Sequence, residues 1–113
     1  CNSISIVKFN YFGSGDRLGS KLEVMIYRTV HELVNNALKH SGAKEIIVQI
    51  IQEVDRIAIT VQDDGRGFDT SVPTEGTGLK NIKDRVGSYN GRMEIWSKEN
   101  EGTEISVEFI LSE

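Results

Sequence analysis

The chain has 113 residues, enough for one domain with a modest core. Apolar residues make up 38% and charged residues 27%, ordinary for a soluble globular domain, and the formal net charge of -4 sets aside a nucleic-acid binder, whose surface would be basic. No apolar run approaches the ~18 residues of a membrane-spanning helix, and the single cysteine, Cys1, excludes an internal disulfide and fits a reducing compartment. The sequence lacks an initiator Met and opens almost directly on a strand-like segment, so it reads as a piece of a longer protein with no signal peptide in the part present.

Ile4 to Phe9 is short and apolar and reads as a first strand, followed by a glycine-bearing loop from Asn10 to Gly19. Ser20, with Glu23 in the capping-box position, predicts the start of a helix that runs to about Ser41, where Gly42 closes it. Lys44 to Glu53 reads as a buried strand. Ile57, Ile59 and Val61 alternate with Ala58, Thr60 and Gln62, predicting a second strand paired with it. Asp63 to Gly78 is a loop rich in glycine and holding the only proline, Pro73. Leu79, Ile82, Val86 and Tyr89 then recur at helical spacing, and Asn90-Gly91 ends that helix. Met93 to Ser97 and Thr103 to Leu111 are the last strands, joined by a polar turn through Asn100 and Gly102. The order predicts an α/β (α+β) domain: a mixed sheet of about five strands with helices on one face, a two-layer sandwich.

The first helix carries a polar face. At roughly 100° per residue, with Glu32 at zero, Asn36 falls at about 40°, Lys39 at about -20° and His40 at about 80°. Val30, Leu33, Val34, Ala37 and Leu38 fall between about 100° and 240°, so the apolar side is expected to pack on the sheet while the polar arc looks elsewhere. A solvated face is one reading. The other starts from composition: Asn is a poor helix former, yet Asn35 and Asn36 sit mid-helix. A carboxylate, an amide oxygen and an ammonium converging there suit magnesium, which takes few protein ligands plus phosphate oxygens, with lysine as a point charge for phosphate. His31 falls at about -100°, away from this arc, and reads as a packing or surface residue. His40 has no second histidine or cysteine near it, which argues against a metal ligand.

Asp63-Asp64-Gly65-Arg66-Gly67 directly follows a strand. Its glycines permit positive φ and close backbone approach to a ligand, and an aspartate at a strand end can accept from an exocyclic amine such as that of adenine. Gly76-Thr77-Gly78 leads into a helix, whose first N–H groups attract phosphate. A plain turn remains the alternative. No Gly-Lys-Ser/Thr is present, and the dinucleotide fingerprint lacks its third glycine.

Taken together these segments resemble a known family. Glu32-Leu33-Val34-Asn35-Asn36-Ala37-Leu38-Lys39-His40-Ser41 is similar to the N-box of the GHKL ATPases, the group of gyrase, the heat-shock chaperone, histidine kinases and MutL. Asp63-Asp64-Gly65-Arg66-Gly67 resembles their first glycine box, Gly76-Thr77-Gly78-Leu79 the second, and Glu101-Gly102-Thr103 the late Gly-Thr before the last strand. The likeness covers nearly the whole chain. Within the superfamily it resembles the short-lid sensor histidine kinases, the group of nitrate and membrane-fluidity sensors, in Leu18, Tyr27-Arg28, Gly78-Leu79-Lys80-Asn81-Ile82 and Arg85. The loop from Gly67 to Gly76 is short, Phe68 is its only aromatic, and no separate F-box is visible.

The resemblance implies a Bergerat-type fold that binds ATP and Mg2+. By motif, Asn36 is the expected magnesium ligand and Glu32 the catalytic residue that polarises the attacking group or a metal-bound water. Lys39 is expected at the phosphates, His40 against the nucleotide, and Asp63 at the adenine amine with Thr103 beside it. Gly65, Gly67, Gly76, Thr77, Gly78 and Leu79 form the lid region. The implied partners are the parent protein's own dimerisation and phosphoacceptor domain, upstream of Cys1, and a response regulator receiver domain. The parent is expected to be a homodimer and a membrane-bound sensor, with this domain cytoplasmic and in direct contact with neither membrane nor nucleic acid. The alternatives are an anti-sigma-factor serine kinase and a catalytically silent nucleotide-binding interaction module.

Overall fold

The computed structural model describes residues 5–13, 18–40, 42–67 and 78–111, with the backbone alone for His40. Among them the chain runs β1 (Ile6–Phe12), α1 (Ser20–His40), β2 (Glu45–Gln52), β3 (Arg56–Asp63), α2 (Leu79–Ser88), β4 (Gly91–Lys98) and β5 (Gly102–Ile110). The strands form one sheet in the order β1-β2-β3-β5-β4. β1 and β2 are parallel because α1 carries the chain back across the sheet, and the other pairs are antiparallel. The mixed sheet with helices on one side is the architecture expected from the sequence.

The core follows the alternation in the strands. Ile46, Val48 and Ile50 of β2, Ile57, Ile59 and Val61 of β3, and Ile105, Val107 and Phe109 of β5 are buried on the helix side. The other face is mixed: Arg56 there bridges Glu53 and Glu108, and Ile51, Trp96 and Ile110 are exposed beside the polar residues. α2 buries Leu79, Ile82 and Val86 against β4, as its spacing predicts. No helix among the described residues is long and apolar enough to cross a membrane.

Several boundaries differ from the expected ones. β1 continues to Phe12 where a loop is expected from Asn10, because the parallel ladder extends to Phe12 opposite Ile51 and Tyr11 hydrogen-bonds Gln52. Ile4 lies outside the described residues. Ser20 is the first helical residue rather than the cap: Gly19 O accepts the Glu23 N–H at 3.0 Å, and the Glu23 carboxylate reaches back to the Leu18 N–H, also at 3.0 Å. α2 stops at Ser88, and Asn90 turns the chain with φ 61°, so β4 starts at Gly91 rather than Met93.

The buried arc of α1 also differs. Met25, Ile26, Thr29, Leu33 and Ala37 are buried, Val30 and Val34 only partly, and Leu38 is exposed. On the scale used above the buried residues span about 20° to 140°, an arc rotated by about 90° toward Glu32 and Asn36. The reason is that α1 packs against α2 as well as against β2 and β3. The polar arc therefore flanks the core along the groove between the helices instead of opposing it.

Candidate functional site

The functional residues fall into two neighbourhoods. The first lies at the end of β3. Asp63 ends that strand opposite Thr103 of β5, and both are buried, at 9% and 7% exposure. One Asp63 carboxylate oxygen accepts the Gly65 N–H at 2.8 Å, which folds the chain tightly past the strand end. Burial pushes the Asp63 carboxyl above the usual carboxylate range, and the backbone N–H groups of Gly65 and Thr103 offset part of that. Thr103 is itself held: its hydroxyl lies 2.8 Å from Ser97 Oγ, which also donates to the Gly102 carbonyl at 3.0 Å.

The first glycine box crosses directly over the β4–β5 turn. Gly67 has φ 62°, and a Cβ there would collide with the Lys98 carbonyl and stand 2.8 Å from the Gly102 carbonyl. The Arg66 carbonyl accepts the Asn100 N–H at 2.5 Å. Glycine is required at Gly67 by both dihedral and space. Asp64 braces the same corner, its Oδ1 accepting the N–H groups of Lys44 at 2.9 Å and Glu45 at 3.0 Å. Those two donors hold the Asp64 carboxyl below the usual range, Glu45 first.

The second neighbourhood is the groove between the helices. Glu32 and Asn36 sit one turn apart on α1 and are half-buried, while Lys39 is exposed. Arg85 of α2 donates from Nη2 to Glu32 Oε1 at 2.6 Å, with Arg28 farther off at 4.0 Å. Gly78 is the N-cap of α2, and its φ of 77° needs glycine; no side chain caps the helix and no acidic residue lies in its first turn. Such an end suits an anion. Leu79, expected in the lid region, is the first residue of α2 and is buried in the core. His31 is exposed and stacks on Tyr27, with ring centroids 5.8 Å apart, as expected of a residue off the polar arc. Gly76, Thr77 and the His40 side chain lie outside the described residues.

Among the described residues no group of His, Cys, Asp and Glu could by itself hold a metal ion. The donor set at α1, one amide oxygen beside one carboxylate, fits a hard cation that arrives with phosphate oxygens and water. Sequence reasoning did not find the Arg85–Glu32 pair, the Asp64 brace or the contact of Gly67 with the β4–β5 turn. Each joins segments far apart in the chain. The only signals were the positive-φ residue types at Gly67 and Gly102 and the presence of Arg85 among the family-like residues.

An uncapped helix start, a glycine box on a strand end and a buried carboxylate beside a threonine are features that suit nucleotide binding by an α+β domain. The chain matches the family described as "Histidine kinase-, DNA gyrase B-, and HSP90-like ATPase" over residues 21–113, and it belongs to that family. It is 33% identical over 102 residues to the signal transduction histidine-protein kinase/phosphatase DegS of Brevibacillus brevis, covering 89% of this chain and 26% of that protein. To the nitrate/nitrite sensor protein NarX of Escherichia coli it is 31% identical over 105 residues, covering 92% of this chain and 18% of that protein. The blue-light activated histidine kinase of Erythrobacter litoralis EL346 shares the fold, with a TM-score of 0.74 at 22% identity over 96% of this chain and 36% of that one. The chain thus spans about a quarter or less of the length of these sequence relatives.

Proposed function

We propose that this domain holds magnesium-ATP and presents its γ-phosphoryl group to a histidine on a dimerisation domain of a longer two-component sensor kinase, for relay to a response regulator. The observation that carries this reading is the buried Asp63 carboxylate. A charge taken out of water needs donors, and Gly65 and Thr103 supply backbone N–H groups while leaving acceptor capacity for an adenine amine.

The remaining roles are carried over from the family motifs. α2 offers its uncapped first turn to the phosphates. Asn36 turns an amide oxygen toward the magnesium, which when bound neutralises charge developing on the phosphoryl oxygens. Lys39 adds a positive charge, and Glu32 orients the attacking group. By motif, Gly65, Gly67, Gly76, Thr77 and Gly78 are assigned to the lid over the nucleotide, and His40 to a contact with it. Neither His31, stacked on the surface of α1, nor His40, at its end, stands on a helical hairpin, so the acceptor histidine belongs to another part of the parent protein. Such a domain works where ATP is available, on the cytoplasmic side. The sequence relatives favour neither a serine kinase nor a silent module.

Nucleotide titration with and without magnesium, on the native chain and on Asn36→Ala, tests this reading. Binding should depend on magnesium and weaken at least about tenfold in the variant, the scale of one interaction with a charged group. Equal binding by both proteins would remove Asn36 from the metal site. Incubation with labelled ATP should leave no stable label on this chain alone.

A further inference from the structure

Glu32 is gripped from the opposite helix. Arg85 Nη2 reaches Glu32 Oε1 at 2.6 Å, and the two side chains are only 21% and 38% exposed. The Arg28 contact on the same helix is 4.0 Å long and the Arg28 side chain is 57% exposed, the kind of surface pair that holds little. Arg85 Nε is buried with no hydrogen-bond partner among the described residues. The Nε–Nη2 edge of a guanidinium matches a carboxylate with both donors. Arg85 therefore keeps an unused donor beside the one that Glu32 already occupies. A pair that served only to pin the helices together would gain by filling it.

We propose that Arg85 is a positioning residue for Glu32 in phosphoryl transfer, fixing the direction of its carboxylate from α2. The proposal rests on the reading of Glu32 given above. Phosphoryl transfer depends on positioning, and a carboxylate that must orient an attacking group works best when a third group orients it in turn. Arg85 stands on the helix capped by Gly78, so the segment that closes the glycine box also sets the acid of the N-box.

A double-mutant cycle in the longer polypeptide that carries this chain tests the idea, with Arg85→Met, Glu32→Gln and the pair, reading kcat and KM for ATP. Arg85→Met keeps the methylene packing and should lower kcat by about tenfold or more while KM changes less than about twofold. Arg85→Lys should recover part of the loss. In the Glu32→Gln background Arg85→Met should cost nothing further, because the residue acts through Glu32. The same loss in both backgrounds, a native kcat in Arg85→Met, or a raised KM with unchanged kcat would overturn the proposal. If Arg85→Met fails to fold by circular dichroism, Arg85→Gln, which keeps most of the methylene packing without the charge, carries the same cycle and the same criteria. Native kcat in Glu32→Gln would overturn the role of Glu32 and this proposal with it. Loss of magnesium-dependent binding in the native chain would instead overturn the ATP reading itself.

Discussion

Gly102 lies hard against Asp63: a Cβ on Gly102 would collide with the Asp63 carbonyl oxygen and stand 3.3 Å from the Asp64 Cα. Gly102 has φ 93°, and it begins β5 one residue before Thr103, the strand partner of Asp63. The residue that opens the last strand thus sets how closely Thr103 and Asp63 approach.

Gly102→Ala should therefore damage both fold and site. Strain at a left-handed position together with the displaced carbonyl predicts a loss of about 1–3 kcal/mol in urea denaturation. Nucleotide affinity should fall as well, because Asp63 moves. Full stability in Gly102→Ala would show that the backbone yields there without cost.

Asp63→Asn should separate stability from binding. The folded-state pKa of Asp63 is raised, chiefly by burial, so the fold disfavours the ionised form. In strong acid both folded and unfolded chains carry the protonated group and there is no penalty. As pH rises past the ordinary carboxylate range the unfolded chain ionises first, and native stability falls until the folded carboxyl ionises too. The amide removes that penalty and keeps an oxygen for the Gly65 N–H. Without nucleotide, Asp63→Asn should be at least as stable as the native chain at about pH 7, with the advantage shrinking toward about pH 3. ATP affinity should drop at least about tenfold. Unchanged affinity would remove Asp63 from the adenine site.

Asp64 behaves in the opposite sense. Its folded pKa is lowered by the N–H groups of Glu45 and Lys44, so its stabilisation is present above the ordinary carboxylate pKa and is lost as pH falls through the folded value. Asp64→Asn should be less stable than the native chain near neutrality, and the two should converge in acid. Urea denaturation across that range reads the difference. A gap that stays constant with pH would show that the charge on Asp64 plays no part.

Most of the elements were legible in the sequence because each has a local signature. The alternation of Ile57, Ile59 and Val61, the spacing of Leu79, Ile82 and Val86, and the glycines around Asp63 all report on neighbours a few residues away. The sequence ends β1 early because Asn10 and the glycines Gly13, Gly15 and Gly19 give a loop signal that outweighs Tyr11 and Phe12, whereas pairing of Asn10 and Tyr11 with Gln49 and Ile50 keeps them extended. The sequence points to Ser20 as the cap because a side-chain oxygen is the usual one. Here the Gly19 carbonyl and the Glu23 carboxylate close that end instead.

By itself the sequence determined the family, the type of each element, and the identity of Glu32, Asn36, Asp63 and Thr103 as candidate site residues, since motif spacing and periodicity are local properties of the chain. Tertiary structure decided which arc of α1 is buried, that β5 lies between β3 and β4, that Arg85 grips Glu32, and that Gly67 crosses over the Lys98 and Gly102 carbonyls. A helical wheel records that one face is apolar, but not which neighbours will cover its flanks. α2 packed beside α1 supplied that cover, and it turned a polar arc expected to look away from the core into one wall of a groove.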